Sequence, residues 1–297
     1  MQLTLEDLRK DFKKAGYICD EETVLTVYLS LVLEKPILIE GPPGVGKTEM
    51  GKVLAQIFDT ELIRLQCYEG LDENKALYEW NYQKQLLKIQ IGRRDAGAGQ
   101  QAGDLFSTEY LLERPLLRAI QAPRKAVLLV DEIDKSDDEF EAFLFEVLSD
   151  FQVSIPELGT IKANHIPIVV LTSNSERELS DGLKRRCVFL YLDFPGIEKE
   201  VEIIQAKVPQ AGDNLTKEIA RAVNLIRKNA EIRKKPSIAE TLDWTRALVS
   251  LNKDRLQSST IELTLNLLLK NRADQRVFQE QIGARNLWEK SRSSYLG

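Results

Sequence analysis

The chain has 297 residues, 43% hydrophobic and 7% aromatic, with only 16 Gly and 10 Pro, which provides for two modest cores and excludes collagen-like, low-complexity and wholly disordered polypeptides. Forty-one basic residues against 46 acidic give a net charge of -5, an overall field that argues against sequence-independent binding of nucleic acid or anionic membranes. No apolar run reaches the roughly 18–20 residues that span a bilayer. Glu6, Asp7, Arg9, Lys10 and Asp11 stand where a signal peptide would be apolar, so a cytoplasmic protein is expected. Cys19, Cys67 and Cys187 are too widely spaced for a disulfide framework or a metal motif, and His165 is the sole histidine.

In chain order, Ile- and Val-rich runs at 36–40, 62–66, 126–130, 167–172 and 188–192 alternate with longer helical stretches, which predicts an α/β protein with a parallel sheet between helices. About 60 residues separate the second run from the third, so a segment is inserted there, and its Gly-, Ala- and Gln-rich part at 92–103 reads as a surface loop. Asp137 and Asp138 are plausible caps for a helix carrying Phe140, Phe143, Leu144, Val147, Leu148 and Phe151 on one stripe. Residues 151–165 alternate around Pro156 and Gly159 as a β-hairpin would. Beyond Gly196 the pattern is helical: Ile219, Val223 and Ile226 mark a stripe, Ser259 and Glu262 form an expected capping box ahead of Leu263 and Leu265, and Val277, Phe278, Ile282, Leu287 and Trp288 are isolated anchors in a charged tail.

Gly41, Pro42, Pro43, Gly44, Val45, Gly46, Lys47 and Thr48 (GPPGVGKT) follow the first strand run, open a helix with Glu49 next in line, and fit the phosphate-loop pattern GxxxxGK[ST]. The glycines let successive N–H groups and the helix N-terminus point at phosphate oxygens; Lys47 adds positive charge and Thr48 a hydroxyl for Mg²⁺. ATP and Mg²⁺ are the expected ligands. Asp131 ends the third strand run, where a carboxylate can hold Mg²⁺ through water, and the next residue, Glu132, is placed to deprotonate an attacking water. Asn174, just after the fourth run, can position that water. Arg185 and Arg186 precede the last run, where one of them can act as an arginine finger offered to a neighbouring subunit.

The order of these motifs resembles the AAA+ ATPases, and within them the MoxR family. GPPGVGKT looks like its Walker A, VDEID at 130–134 its Walker B, LTSN at 171–174 its sensor 1 and LKRRC at 183–187 its arginine-finger segment. Residues 62–87 and 137–161 are similar to the CoxD-like subgroup associated with carbon monoxide dehydrogenase maturation. The resemblance implies a five-stranded P-loop NTPase domain at 1–195, with a helix 2 insertion at about 69–110 and a hairpin before sensor 1 at about 151–166, then a helical lid and tail at 196–297. It further implies a ring homo-oligomer, a hexamer, that remodels or matures a metalloenzyme such as a molybdenum hydroxylase together with a von Willebrand factor A domain partner. The sensor 2 arginine of the family is missing from PSIAE at 236–240: Ile238 cannot bond a phosphate, and Arg233 and Arg246 lie nearby. The competing expectations are a nucleic-acid motor, with Arg93 and Arg94 lining a pore, and an ATP-gated assembly scaffold with little turnover.

Overall fold

A computed structural model describes residues 3–95, 105–156 and 158–292. Its first half runs α1 (Leu5–Lys14), α2 (Glu21–Leu33), β1 (Ile37–Glu40), α3 (Lys47–Ile57), β2 (Leu62–Gln66), α4 (Glu73–Ala76), β3 (Tyr78–Trp80), α5 (Tyr82–Asp95), β4 (Leu111–Glu113), α6 (Pro115–Ile120) and β5 (Val127–Asp131). There follow α7 (Asp138–Asp150), β6 (Gln152–Ile155), β7 (Gly159–Lys162), β8 (Ile168–Ser173), α8 (Asp181–Arg186), β9 (Val188–Tyr191), α9 (Ile197–Lys207), α10 (Asp213–Lys228), α11 (Ile238–Ser250), α12 (Ser258–Leu268), α13 (Arg272–Val277) and α14 (Ala284–Arg292). The chain divides into two compact units, one of Glu22–Glu40 and Thr48–Tyr191, the other of Met1–Glu21, Gly41–Lys47 and Leu192–Gly297.

The first unit is built on a five-stranded parallel sheet in the order β2-β5-β8-β1-β9. Its two central strands β5 and β8 are buried along their whole length, which is why they read as unbroken apolar runs rather than alternating ones. Strand β5 extends one residue past the expected run, so Asp131 is itself a strand residue. Helix α3 packs close to β5 through Gly51, where a Cβ would come within 3.2 Å of the Leu129 side chain. Asp137 caps α7 by accepting the Phe140 N–H at 2.8 Å, and Phe140, Leu144, Val147 and Leu148 enter the core. The hairpin pairs β6 with β7, Val153 opposite Ile161. In the inserted segment β3 pairs antiparallel with β4, a ladder too short for a period-2 signal. The loop expected at 92–103 is corrected in part: residues 92–95 continue α5, whereas 96–103 lie outside the described residues.

The helices of the second unit enclose Trp244, Ile219, Val223, Ile226, Leu265 and Leu268. The stripe on α10 is buried, and the Trp244 indole donates to the Thr264 hydroxyl at 2.8 Å. The capping box expected at Ser259 and Glu262 does not form: α12 starts at Ser258 with Gln257 as N-cap, so Ser259 is already inside the first turn. The reciprocal box belongs instead to Ser237 and Glu240 at the start of α11. Leu263, placed on the apolar stripe, is exposed, one position off the buried face of Thr264 and Leu265. The charged tail docks through Phe278 and Leu287, both buried.

Candidate functional site

In the sheet unit, the carboxyl ends of β5 and β8 carry a connected polar cluster. Asp131 Oδ1 accepts from the hydroxyls of Thr48, the second residue of α3, at 2.9 Å and Thr172 at 2.6 Å, while Oδ2 accepts from the Arg64 guanidinium. The Asp131 side chain is only 4% exposed, so its charge is held by these three donors and not by water. Thr172 works in both directions, donating to Asp131 and accepting the Glu132 N–H at 2.9 Å. Glu132 itself has φ +58, a left-handed conformation that costs a non-glycine residue about 1–3 kcal/mol and is kept where the surroundings over-determine it. Gln66 and Lys135 both donate to Glu132 Oε2, at 3.0 and 2.7 Å. That carboxylate raises the Lys135 pKa above the ordinary lysine value by accepting its hydrogen bond.

Asn174 follows β8 in a turn that Asp134 holds: Asp134 Oδ2 accepts the backbone N–H of Asn174 and of Glu176, each at 3.0 Å. Ser175 between them is left-handed at φ +59. Asp134 is buried, and its other oxygen has no hydrogen-bond partner among the described residues. In the sequence it stands only as the third acid of VDEID, with no local mark of this role. Glu141, buried on α7, bonds the Arg177 guanidinium and the Ser180 N–H and so anchors the segment entering α8. Arg185 and Arg186 occupy the last turn of α8. The Arg186 guanidinium lies 5.0 Å from the Phe145 ring centroid, a cation–π contact, whereas Arg185 is exposed and makes no hydrogen bond or ion pair among the described residues.

The phosphate-loop residues 41–47 belong to the other unit. Gly44 and Gly46 have φ +74 and +102, and a Cβ on Gly41 would stand 2.0 Å from the Leu192 carbonyl oxygen, so glycine is required there. A Cβ on Gly44 would meet the Ser237 side chain at 2.5 Å, and the Tyr17 hydroxyl donates to the Gly46 carbonyl at 3.4 Å. Val45 is buried, and the Lys47 ammonium donates to the carbonyls of Gly41 and Pro42 at 2.7 and 2.8 Å. Glu49, in the first turn of α3, pairs with Lys52 at 3.3 Å. Thus Thr48, Asp131, Thr172 and Glu132 are brought together by hydrogen bonds, as are Asn174 and Asp134. No bond joins Arg185 or Arg186 to these residues among those described, and Arg246, near the expected sensor 2 position, is engaged by Asp243. His165 is exposed, and no group of three metal-binding side chains occurs among the described residues.

A family model described as the AAA domain, dynein-related subfamily, matches residues 36–187, half of the chain. The chain belongs to this AAA family. An AAA domain is an ATPase module that uses ATP with Mg²⁺, and the donors fit that pair: a loop of left-handed glycines for phosphates, and the hydroxyl and carboxylate oxygens of Thr48 and Asp131 for a hard cation. Chaperone protein ClpB 2 of Parasynechococcus marenigrum is 33% identical over 140 residues, 46% of this chain and 13% of that protein. Gas vesicle ATPase GvpN1 of Halobacterium salinarum is 23% identical over 210 residues, 67% of this chain and 58% of that protein. This AAA chain therefore spans less than two thirds of either relative. Among solved structures, the RuvB Holliday junction branch migration motor of Thermotoga maritima is 18% identical, with a TM-score of 0.49 over 85% of this chain and 70% of that one.

Proposed function

We propose that the chain is a MoxR-type AAA+ ATPase that couples ATP hydrolysis to the remodelling or maturation of a metalloenzyme, with a molybdenum hydroxylase such as carbon monoxide dehydrogenase as the client. In this reading residues 1–195 are the nucleotide-binding domain and 196–297 the lid and tail. Chains assemble in a cytoplasmic ring of six with a von Willebrand factor A domain partner. No helix among the described residues is long and apolar enough to cross a membrane, and the acidic composition speaks against nucleic acid as the substrate.

The observation that carries the hydrolysis step is the Thr48–Asp131 hydrogen bond beside a left-handed Glu132. Backbone N–H groups of residues 41–48 and the Lys47 ammonium bind the phosphates. Thr48, and Asp131 through a water, hold Mg²⁺, which when bound neutralises phosphate charge. Glu132 takes the proton of the attacking water, and Asn174 orients that water. Arg185 serves as the finger for the neighbouring subunit, since Arg186 is already stacked on Phe145.

The client assignment draws on the similarity of residues 62–87 and 137–161 to the CoxD-like subgroup, and remodelling is in keeping with a relative named as a chaperone. Its test is to incubate the chain with inactive carbon monoxide dehydrogenase and ATP. An ATP-dependent gain of dehydrogenase activity that the Glu132→Gln chain does not give is expected; equal activity with and without ATP contradicts the assignment. One observation favours an assembly scaffold with little turnover as the second reading: Ile238 stands where a sensor 2 arginine would be.

A further inference from the structure

A concave polar cavity of about 550 Å³ opens within the helical unit, lined by Lys217, Glu218 and Arg221 of α10, Arg255 from the segment before α12, and Glu289 and Arg292 of α14. We propose that this cavity, separate from the phosphate loop in sequence and in lining residues, binds a small polyanion bearing two or more phosphate or carboxylate groups.

Four cationic side chains face two carboxylates, and both carboxylates are already committed. Glu289 accepts from Arg285 outside the cavity at 3.1 Å. Glu218 is almost fully buried, and its Oε2 accepts the Leu256 N–H at 2.8 Å. Its Oε1 lies 3.9 Å from both Arg255 and Arg292, beyond direct hydrogen-bond reach. Glu218 therefore gathers two guanidiniums at one mouth without saturating their N–H donors. Arg221 reaches only the Ser291 carbonyl, at 3.4 Å, and Lys217 has no partner among the described residues. The remaining donors form the planar forks that match phosphate and carboxylate oxygens, and the volume falls in the range of small-molecule sites.

Titration with tripolyphosphate and, separately, with citrate tests the proposal, in excess Mg-ADP so that the phosphate loop does not report. The Arg292 guanidinium sits 5.3 Å from the Trp288 ring centroid, so the Trp288 share of the emission, isolated in a chain with Trp80 and Trp244 replaced by Phe, follows binding alongside calorimetry. One anion per chain is expected to bind, more weakly as salt rises, with the preferred anion telling phosphate from carboxylate recognition. Lys217→Gln and Arg255→Gln, both exposed and outside the core, are each expected to weaken binding about tenfold, the loss of one charge-assisted contact. Unchanged thermal midpoints show that the variants fold. Absence of binding by either anion, or equal affinity in the Lys217→Gln and Arg255→Gln chains, overturns the proposal.

Discussion

Asp131 and Glu132 are neighbours with opposite fates. Asp131 continues the strand and is locked by Thr48, Thr172 and Arg64; Glu132 turns left-handed and leaves one carboxylate oxygen outside the grip of Gln66 and Lys135. Replacing Glu132 by Gln keeps the hydrogen-bonding shape and removes the base. Turnover is expected to fall by about 10²–10⁴-fold with ATP binding retained, a split read by comparing bound nucleotide with released phosphate. Burial pushes the Cys67 thiol up to about 12, with Asp131, Asp134 and Glu132 adding to the shift, and the Cys187 thiol to about 12. A raised folded-state pKa means that the native chain holds its protons longer than the unfolded chain does. Stability is therefore full below pH 9, the ordinary thiol value, and is lost as pH rises through the window up to about 12. Urea unfolding from about pH 8 to about pH 11 is expected to show this fall, and Cys67→Ala to make it shallower.

Among the structural elements, two devices hold the segments that carry function. Asp134 fastens the turn after β8 by two backbone bonds, so Asp134→Ala is expected to lower turnover through Asn174 while nucleotide affinity stays within a few-fold. In the helical unit, Arg227 is buried with Glu200 in a bidentate pair at 2.7 and 2.8 Å and donates to the Pro236 carbonyl at 2.7 Å, directly before Ser237 caps α11. Leaving one buried charge unpaired costs about 3–5 kcal/mol, so Glu200→Gln or Arg227→Met alone is expected to lower the unfolding midpoint sharply and the double variant to recover much of it. Neither device is legible in a single sequence. Asp134 reads as one acid among several, and a pair 27 positions apart has no local signature. Strands β1, β5 and β8 were legible because doubly covered strands are nearly uninterrupted apolar runs, the edge strands β2 and β9 by their short Ile-, Leu- and Val-bearing runs although every second or third position is exposed, and α7 because its cap and stripe agree. The three-residue strands β3 and β4 fall below any period, and α12 starts earlier than expected because its N-cap is Gln257, which carries no capping signature, rather than Ser259.

Over the whole molecule, the motif order was legible because the phosphate loop, the Asp131–Glu132 pair and Asn174 each stand at the carboxyl end of a parallel strand, where the sheet exposes chain ends to ligand, whereas Arg185 and Arg186 lie on α8 ahead of β9. Not legible was the grouping of residues 41–47 with 192–297, which depends on contacts such as Gly44 with Ser237 and Gly41 with Leu192 that glycine alone permits. In the proposed ring, sites are completed between neighbours, in keeping with an exposed Arg185 that makes no hydrogen bond or ion pair among the described residues. Arg185→Ala is expected to abolish turnover with ATP binding kept, and mixing it with Glu132→Gln chains to restore part of the rate, because mixed neighbours rebuild intact sites. The most direct test of the central claim is the rate of Mg²⁺-dependent ATP hydrolysis per chain, followed across a wide range of protein concentration for the wild type and for Lys47→Ala. A per-chain rate that climbs steeply, saturates, and is absent without Mg²⁺ and in Lys47→Ala is expected of a ring ATPase. A rate near zero at every concentration, or one indifferent to Mg²⁺ and to Lys47, would contradict it.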